Sequence, residues 1–333
     1  MICPELKNFL RYKSLVCYIP VGVISMKIGF IGGGIESEVV IVYIKRYFKI
    51  ADMDLIYVYE DSEYRRNELR ATYGVQIPYP NLQFVQNMDV VFLSEKLENL
   101  NSTLEKMIPY VKTSMLIVTM IPGLQISTVE RYFPQATIVR IALNFPLIDQ
   151  QGIIVFSTVG NDEIEEIENI APLMTLFHDG GKMLRVSEEV MDIASTIVYG
   201  ATFFQNLVLQ KEVELLKKYG ISEEDAMMIF TQVKIGTSIQ AQAGHTPLQE
   251  MKIIAIEEGD QLAKSMLDFF KNQSDSEFFQ SLSQIFKTQF ENLKLRSENF
   301  EKPFQPPKEE LVEVPVNDGK FGGYYHKFKD EEE

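Results

Sequence analysis

Cysteine is scarce in this chain of 333 residues, with Cys3 and Cys17 the only two. Two thiols cannot build a disulfide framework. The three histidines, His178, His245 and His326, are scattered, so no cluster has zinc spacing and no metal is expected. Long apolar runs are also missing. None reaches the ~18 residues needed to cross a bilayer, so no membrane span is expected. Basic charge is short as well. Thirty-two Lys and Arg stand against 47 Asp and Glu, a net charge of −15. Nucleic-acid binding needs a basic face to neutralise phosphate, and no stretch supplies one. The acid excess favours solubility and suits docking on a basic partner.

What is present is globular. With 46% hydrophobic and 24% charged residues, the chain has the length of about two domains. Residues 1–25 form an N-terminal extension, with Lys7, Arg11 and Lys13 against the single acid Glu5. A mitochondrial presequence and an added tail ahead of Met26 both stay open. The cytoplasm is the first expectation for location and the mitochondrion the alternative.

Residues 26–160 alternate short apolar strands with helices. Strands are expected at Lys27–Ile31, Leu55–Tyr59, Asp89–Leu93, Met115–Thr119, Thr137–Ile141 and Ile153–Phe156. Continuous apolar runs of this length suit strands buried on both faces. Ser62 caps one helix, which stops at Gly74. Asn101 or Ser102 opens the next, and Ser127 with Glu130 forms a capping box at a third. The pattern predicts a doubly wound, mainly parallel sheet, a Rossmann NAD(P)-binding domain. From residue 161 the strand signal fades, and residues 161–298 read as an all-α domain. Its helices are Asn161–Phe177, Ser187–Tyr219, one opened by Ser222 and Asp225, Gly259–Asn272 and Ser276–Leu295. The long second helix carries Phe203, Phe204 and Leu207 on more apolar surface than one small domain covers. A homodimer, or a larger protein assembly, is the economical explanation. Residues 299–333 form an acidic tail containing Pro and Gly, expected to be disordered without a partner.

The chemistry-bearing motif is Gly32-Gly33-Gly34-Ile35-Glu36-Ser37, between the first strand and the first helix. It fits G-x-G-x-x-G/A with Ser37 as the third small residue. Gly32 makes the turn, Gly34 admits a pyrophosphate to the backbone, and Ser37 allows close packing. The diphosphate would rest on the helix N-terminus. Glu36, in the first helical turn, competes with phosphate for that positive end. Glu60, ending the second strand, is placed to bind the adenine ribose and repel a 2′-phosphate. Arg65 and Arg66 follow it and could reverse that preference. NAD is expected before NADP. Lys96, ending the third strand, faces the cofactor crevice. No Ser-His-Asp or Cys-His arrangement is readable, and no catalytic residue is assigned.

Five segments in order resemble the pyrroline-5-carboxylate reductase family, over roughly residues 27–295. Lys27 through Gly34 matches the opening K-I-G-F-I-G-x-G. Asp89-Val90-Val91-Phe92-Leu93-Ser94-Glu95-Lys96-Leu97 matches D-V-V-F-L-A-V-K-P. Pro122-Gly123-Leu124 through Glu130 and Pro134 resembles A-G-I-x-x-x-x-L-E-x-x-L-P. Arg140-Ile141-Ala142-Leu143-Asn144-Phe145-Pro146 resembles R-x-M-P-N-T-P, and Glu188 through Asp192 resembles E-x-x-x-D. The resemblance implies a Rossmann domain with a helical dimerisation domain, NAD or NADP as cofactor, and Asn144 in the cofactor site. The family reaction is reduction of a cyclic imine to proline.

Departures fall on the functional elements. Ile35-Glu36 replaces the family Asn-Met, and Leu97 replaces the Pro after Lys96. The small S-G-S-G-P-A segment of the long helix appears as Val198-Tyr199-Gly200-Ala201-Thr202-Phe203. The family's Gly-rich substrate loop is gone: Leu248-Gln249-Glu250-Met251-Lys252 runs directly into Ile253-Ile254-Ala255-Ile256-Glu257-Glu258-Gly259. An anion nest of backbone amides is not replaced by a few side chains. A degenerate family member is therefore expected, a structural or regulatory subunit that retains NAD(P) binding. Two alternatives stay open. One is an active NAD(P)-dependent oxidoreductase on a reassigned small substrate. The other is a pyrroline-5-carboxylate reductase of proline biosynthesis with a rearranged loop.

Overall fold

The first strand, β1 (Ile28–Ile31), has all four side chains buried. Its alternation sends Phe30 to one face of a sheet and Ile31 to the other, each into its own core. A computed structural model describes residues 26–48, 55–113, 115–158, 163–243, 277–300, 311–312 and 325–326. The readings made of residues 1–25, His245, Lys252–Ile253 and Gly259–Asn272 lie outside the described residues.

After β1 come α1 (Ile35–Tyr47), β2 (Ile56–Tyr59), α2 (Glu63–Tyr73), β3 (Val90–Leu93), α3 (Leu97–Met107), β4 (Leu116–Thr119), α4 (Ile126–Tyr132) and β5 (Thr137–Leu143). Next are β6 (Gly152–Thr158), α5 (Glu163–Phe177), β7 (Gly181–Arg185) and the long helix α6 (Glu188–Lys218). Then come α7 (Glu223–Ala243) and α8 (Glu277–Phe300). The sheet order is β2-β1-β3-β4-β5-β6-β7. The first five strands are parallel, β6 runs antiparallel to β5, and β7 runs parallel to β6. This is the expected doubly wound sheet. Chain order reverses between β1 and β3, which opens a crevice at the carboxyl ends of those strands.

Helices α1, α2 and α5 cover one face, with Phe30 stacked on Phe92 at 5.0 Å. Helices α3 and α4 cover the other, around Val91, Leu104 and Phe133. Capping followed the sequence at α2, where Ser62 accepts from the Arg65 amide and Gly74 closes the helix at φ 72°. It also did at α7, where Asp225 donates its amide to Ser222 at 3.0 Å.

Several expectations are corrected. A seventh strand lies past residue 160, so the sheet runs on to Arg185 and residues 161–298 are not all helical. Helix α3 starts at Leu97, not at Asn101 or Ser102, because Leu100, Leu104 and Met107 already form its buried stripe. Ser127 lies inside α4 and caps nothing. The carboxylate of Glu188, 62 residues away, accepts from the Ile126 amide instead, at 3.1 Å. Apart from these corrections, Leu311–Val312 pairs antiparallel with Tyr325–His326, and the rest of residues 301–333 lies outside the described residues.

One ion-paired knot ties the sheet to α6. Arg140 of β5, only 2% exposed, reaches Glu188 at 3.1 Å and also Asp192. These are the residues of the R-x-M-P-N-T-P and E-x-x-x-D segments. Helix α8 then lies across α6. A Cβ added to Gly200 would meet Phe286 at 3.0 Å, and one on Gly123 would meet the Leu293 carbonyl at 3.0 Å and the Arg296 stem at 3.3 Å. The end of α8 therefore packs at the loop after β4, beside the crevice.

Candidate functional site

The site is built from the turn between β1 and α1. Gly32 has φ 95°, and a Cβ there would lie 2.6 Å from the Ser94 carbonyl carbon and 2.8 Å from the Glu95 nitrogen. Only glycine fits both the dihedral and the gap. Buried Ser37 donates its hydroxyl to the Gly32 carbonyl at 2.7 Å and pins the turn from the helix side. Gly34 is the N-cap of α1 and offers no side-chain acceptor. The first-turn amides therefore stay open to an anion. Glu36 leans over this opening, its Oε2 3.4 Å from where a Gly34 Cβ would stand.

Glu60 does something the sequence did not reveal. Its Oε2 accepts from the Gly33 amide and its Oε1 from the Ser62 amide, each at 2.8 Å. It braces the glycine turn against the start of α2. The two arginines after it are held differently. Arg65 is held by Glu38, Glu68 and the Gly33 carbonyl. Arg66 donates to the Glu60 and Asp61 carbonyls and lies flat on Tyr79, 3.9 Å from the ring centre. Burial tends to raise the Glu38 carboxyl, but hydrogen bonds from Tyr73 and Arg65 outweigh it and hold the group below its usual range.

Across the crevice stands Ser94-Glu95-Lys96, at the end of β3. Lys96 is exposed at the N-terminus of α3. Glu95 is 9% exposed, and its Oε1 accepts from the Lys96 amide at 2.8 Å. Burial pushes its carboxyl above the usual range; the Lys96 amide opposes this, while Asp61 and Glu60 push the same way. The sign follows directly. With the unfolded group titrating near ~4.3, ionised Glu95 burdens the folded state at neutral pH, and acid relieves the burden. Glu95→Gln should therefore raise the melting temperature at pH 7 and lose that advantage near pH ~4. An unchanged or lower melting temperature at neutral pH would count against the burial described here.

The other end of the crevice lies at β5. Asn144 is braced rather than open: its Oδ1 accepts from the Ile153 amide at 2.9 Å and its Nδ2 donates to Thr202 at 3.1 Å. It joins the β5–β6 turn to α6. Tyr199 stands one helical step away. Its hydroxyl is buried without a well-formed hydrogen bond. Burial pushes that hydroxyl well above its ordinary range, and nearby Glu36 adds to the effect, while the Leu143 backbone opposes it. The phenol thus lies near the Leu143 backbone at the end of β5, within reach of the Glu36 charge. Sequence reasoning noted the bulkier segment but not where its ring would go.

Comparison with known proteins gives a consistent relation. The family described as NADP oxidoreductase coenzyme F420-dependent matches residues 27–122. Over 228 residues, 67% of this chain and 80% of the relative, the chain is 25% identical to pyrroline-5-carboxylate reductase 3 of Rattus norvegicus. It is likewise 25% identical to pyrroline-5-carboxylate reductase 2 of Bacillus subtilis, over 66% of this chain and 79% of that one. The fold is similar to a crystal structure of Plasmodium falciparum pyrroline carboxylate reductase with NADP bound, with TM-score 0.69 at 19% identity. That match covers 83% of this chain and 100% of the other. A pyrroline-5-carboxylate reductase from Coxiella burnetii gives TM-score 0.63 at 18% identity, covering 84% and 100%.

Proposed function

We propose that this chain, related at low identity to the pyrroline-5-carboxylate reductases, is a nucleotide-binding member that has lost their reaction. It serves as a structural or regulatory subunit and holds NAD(P) by its adenosine diphosphate half. Gly32, Gly34 and Ser37 shape the turn that receives the diphosphate, and the open amides of the first turn of α1 supply the donors. When bound, the cofactor brings a transferable hydride. The chain's part would be to position it.

One observation carries the loss of reaction. The Tyr199 hydroxyl is buried without a well-formed hydrogen bond, near the Leu143 backbone and within reach of the charge of Glu36 in the first turn of α1, and we read its ring as occupying the space between them. In a doubly wound sheet the second half of a dinucleotide falls on that side of the switch point. The segment that resembles S-G-S-G-P-A has there a phenol in place of small residues. Hydride transfer needs donor and acceptor carbons about 3–3.5 Å apart, and orientation supplies ~7–11 kcal/mol of the rate. A side chain standing in that gap forfeits this term. The test is a steady-state assay with pyrroline-5-carboxylate and either NADH or NADPH. No turnover is expected. A rate near the ordinary ~10 per second would overturn the reading.

A second reading, an active oxidoreductase on another small substrate, is favoured by two cations. Lys96 and Arg296 are exposed at the β3 and β4 ends of the crevice and make no ion pair among the described residues. A small anion could be held between them.

The assembly we propose is a homodimer, or a heteromer built through the same surface. Phe203 is 70% exposed, and Ile193, Ile197 and Leu207 on α6 are exposed too, while Phe204 is half-buried. Ile193 and Ile197 line an open apolar cleft of about 400 Å³ with Leu184 and Ile153. Soluble monomers rarely leave such a face uncovered. Sedimentation at micromolar concentration should show a dimer or larger species. A monomer would contradict this.

A further inference from the structure

The expected reader of the adenine ribose is Glu60, each of whose oxygens already accepts one backbone amide. Asp61, next in sequence, accepts from the Asn99 side chain at 3.1 Å. A third carboxylate joins them from the opposite wall. Glu95 is close enough to Asp61 and Glu60 for their charges to act on it, and its own charge acts on Tyr59 at the end of β2. It is more than nine-tenths buried, and among the described residues only its Oε1 is hydrogen-bonded. Oε2 is left without a partner at the wall of the crevice. Its main chain touches the glycine turn, since the Glu95 nitrogen is what a Gly32 side chain would strike.

Resting on the nucleotide-binding reading above, we propose that Glu95, rather than Glu60, hydrogen-bonds the adenosine ribose and makes the site selective for a cofactor without a 2′-phosphate. A buried carboxylate with an open oxygen is a strong acceptor for a neutral hydroxyl. It is a poor neighbour for a phosphate monoester, which carries about −1.5 to −2 charges at pH 7. The nearer counter-charge that could rescue such a phosphate is engaged. Arg65 is bonded to Glu38, Glu68 and the Gly33 carbonyl, while Arg66 gives its Nη1 to two carbonyls and lies over Tyr79. A 2′-phosphate would therefore enter beside three carboxylates, with Arg66, already bonded through its Nη1 to two carbonyls, as the one guanidinium left without a carboxylate partner among Arg65 and Arg66.

The experiment is a set of fluorescence titrations with NADH and NADPH on the full chain, in wild type, Glu95→Gln, Glu95→Asp and Glu60→Gln. Wild type should prefer NADH by at least about tenfold, since hydrogen bonds to charged groups and like-charge repulsion each act at this scale. Glu95→Gln should narrow that preference roughly tenfold, mainly by gaining NADPH. Glu95→Asp keeps the charge but withdraws the acceptor, so it should weaken NADH while NADPH stays excluded. Glu60→Gln should loosen the glycine turn and weaken both cofactors together, leaving the ratio unchanged. Equal affinities in wild type, or a ratio that moves with Glu60→Gln and not with Glu95→Gln, would overturn the assignment while leaving nucleotide binding intact. Failure of wild type to bind either cofactor would overturn the nucleotide-binding reading and this one with it.

Discussion

Replacing Arg140 with leucine should destabilise the protein by about 3–5 kcal/mol, the range for removing one partner of a buried ion pair. Urea unfolding of the purified variant measures it. The guanidinium is buried, 2% exposed, and faces two carboxylates, Glu188 and Asp192. Leucine fills part of the volume but leaves both acids facing each other. Glu188 has a further duty, accepting from the Ile126 amide at the start of α4, and its Oε2 is buried without a partner. Losing Arg140 therefore disturbs three elements at once: β5, α4 and the first turn of α6. Both acids keep some contact with solvent, which puts the expected value toward the lower end. Replacing all three charged residues with apolar ones of similar volume should recover much of the loss, because no charge is then left unpaired. A loss below about 1 kcal/mol for Arg140→Leu would mean the knot is only a surface pair.

Gly32→Ala should remove nucleotide binding and cost about 1–3 kcal/mol from backbone strain alone, before the clash is counted. At φ 95° an L-residue is strained whatever the space around it, and here there is no space. The methyl group would strike the Ser94–Glu95 peptide, which is backbone and cannot rotate away. Either the turn opens or the end of β3 retreats, and both spoil the cradle. Ser37→Ala is the milder companion. It removes one buried hydroxyl bond to the Gly32 carbonyl, worth ~1 kcal/mol, and leaves the turn's dihedrals in place. Thermal melts with and without NADH separate the two. Gly32→Ala should melt lower and gain nothing from NADH, whereas Ser37→Ala should still be stabilised by it. Stabilisation of Gly32→Ala by NADH to the wild-type extent would show that the nucleotide does not use this turn.

The parallel strands were legible because each is a short, mostly apolar run between turn residues, as burial on both faces requires; Arg140 in β5 is the charged exception. The seventh strand was not. Gly181–Arg185 sits at the sheet edge with Lys182, Leu184 and Arg185 exposed, so no hydrophobic pattern marks it. Only its backbone pairing with β6 does. The start of α4 was misread for a related reason. Its cap comes from Glu188, too distant in sequence for any local motif to announce it.

At the candidate site, the glycine turn and Ser37 could be read directly, since strand, glycines and helix are contiguous. The roles of Glu60 and Asn144 could not. A strand-end acid or amide looks unattached in sequence, and only the folded chain shows the nearby amides that its oxygens also accept. Glu95 and Tyr199 left a signal in the resemblance itself. Glu95 stands where D-V-V-F-L-A-V-K-P has valine, and Tyr199 lies in the segment matched to small residues. A charge or a ring at such a position points to a changed site before any coordinate is known.

A crystal structure of the protein with NADH would test the central claim most directly. The expected result is a diphosphate seated on the first turn of α1 above Gly32–Gly34, with Tyr199 still lying across the end of β5 and no ordered nicotinamide beside Leu143. A nicotinamide ring stacked at the end of β5 with Tyr199 swung aside, or a nucleotide bound away from the glycine turn, would contradict it.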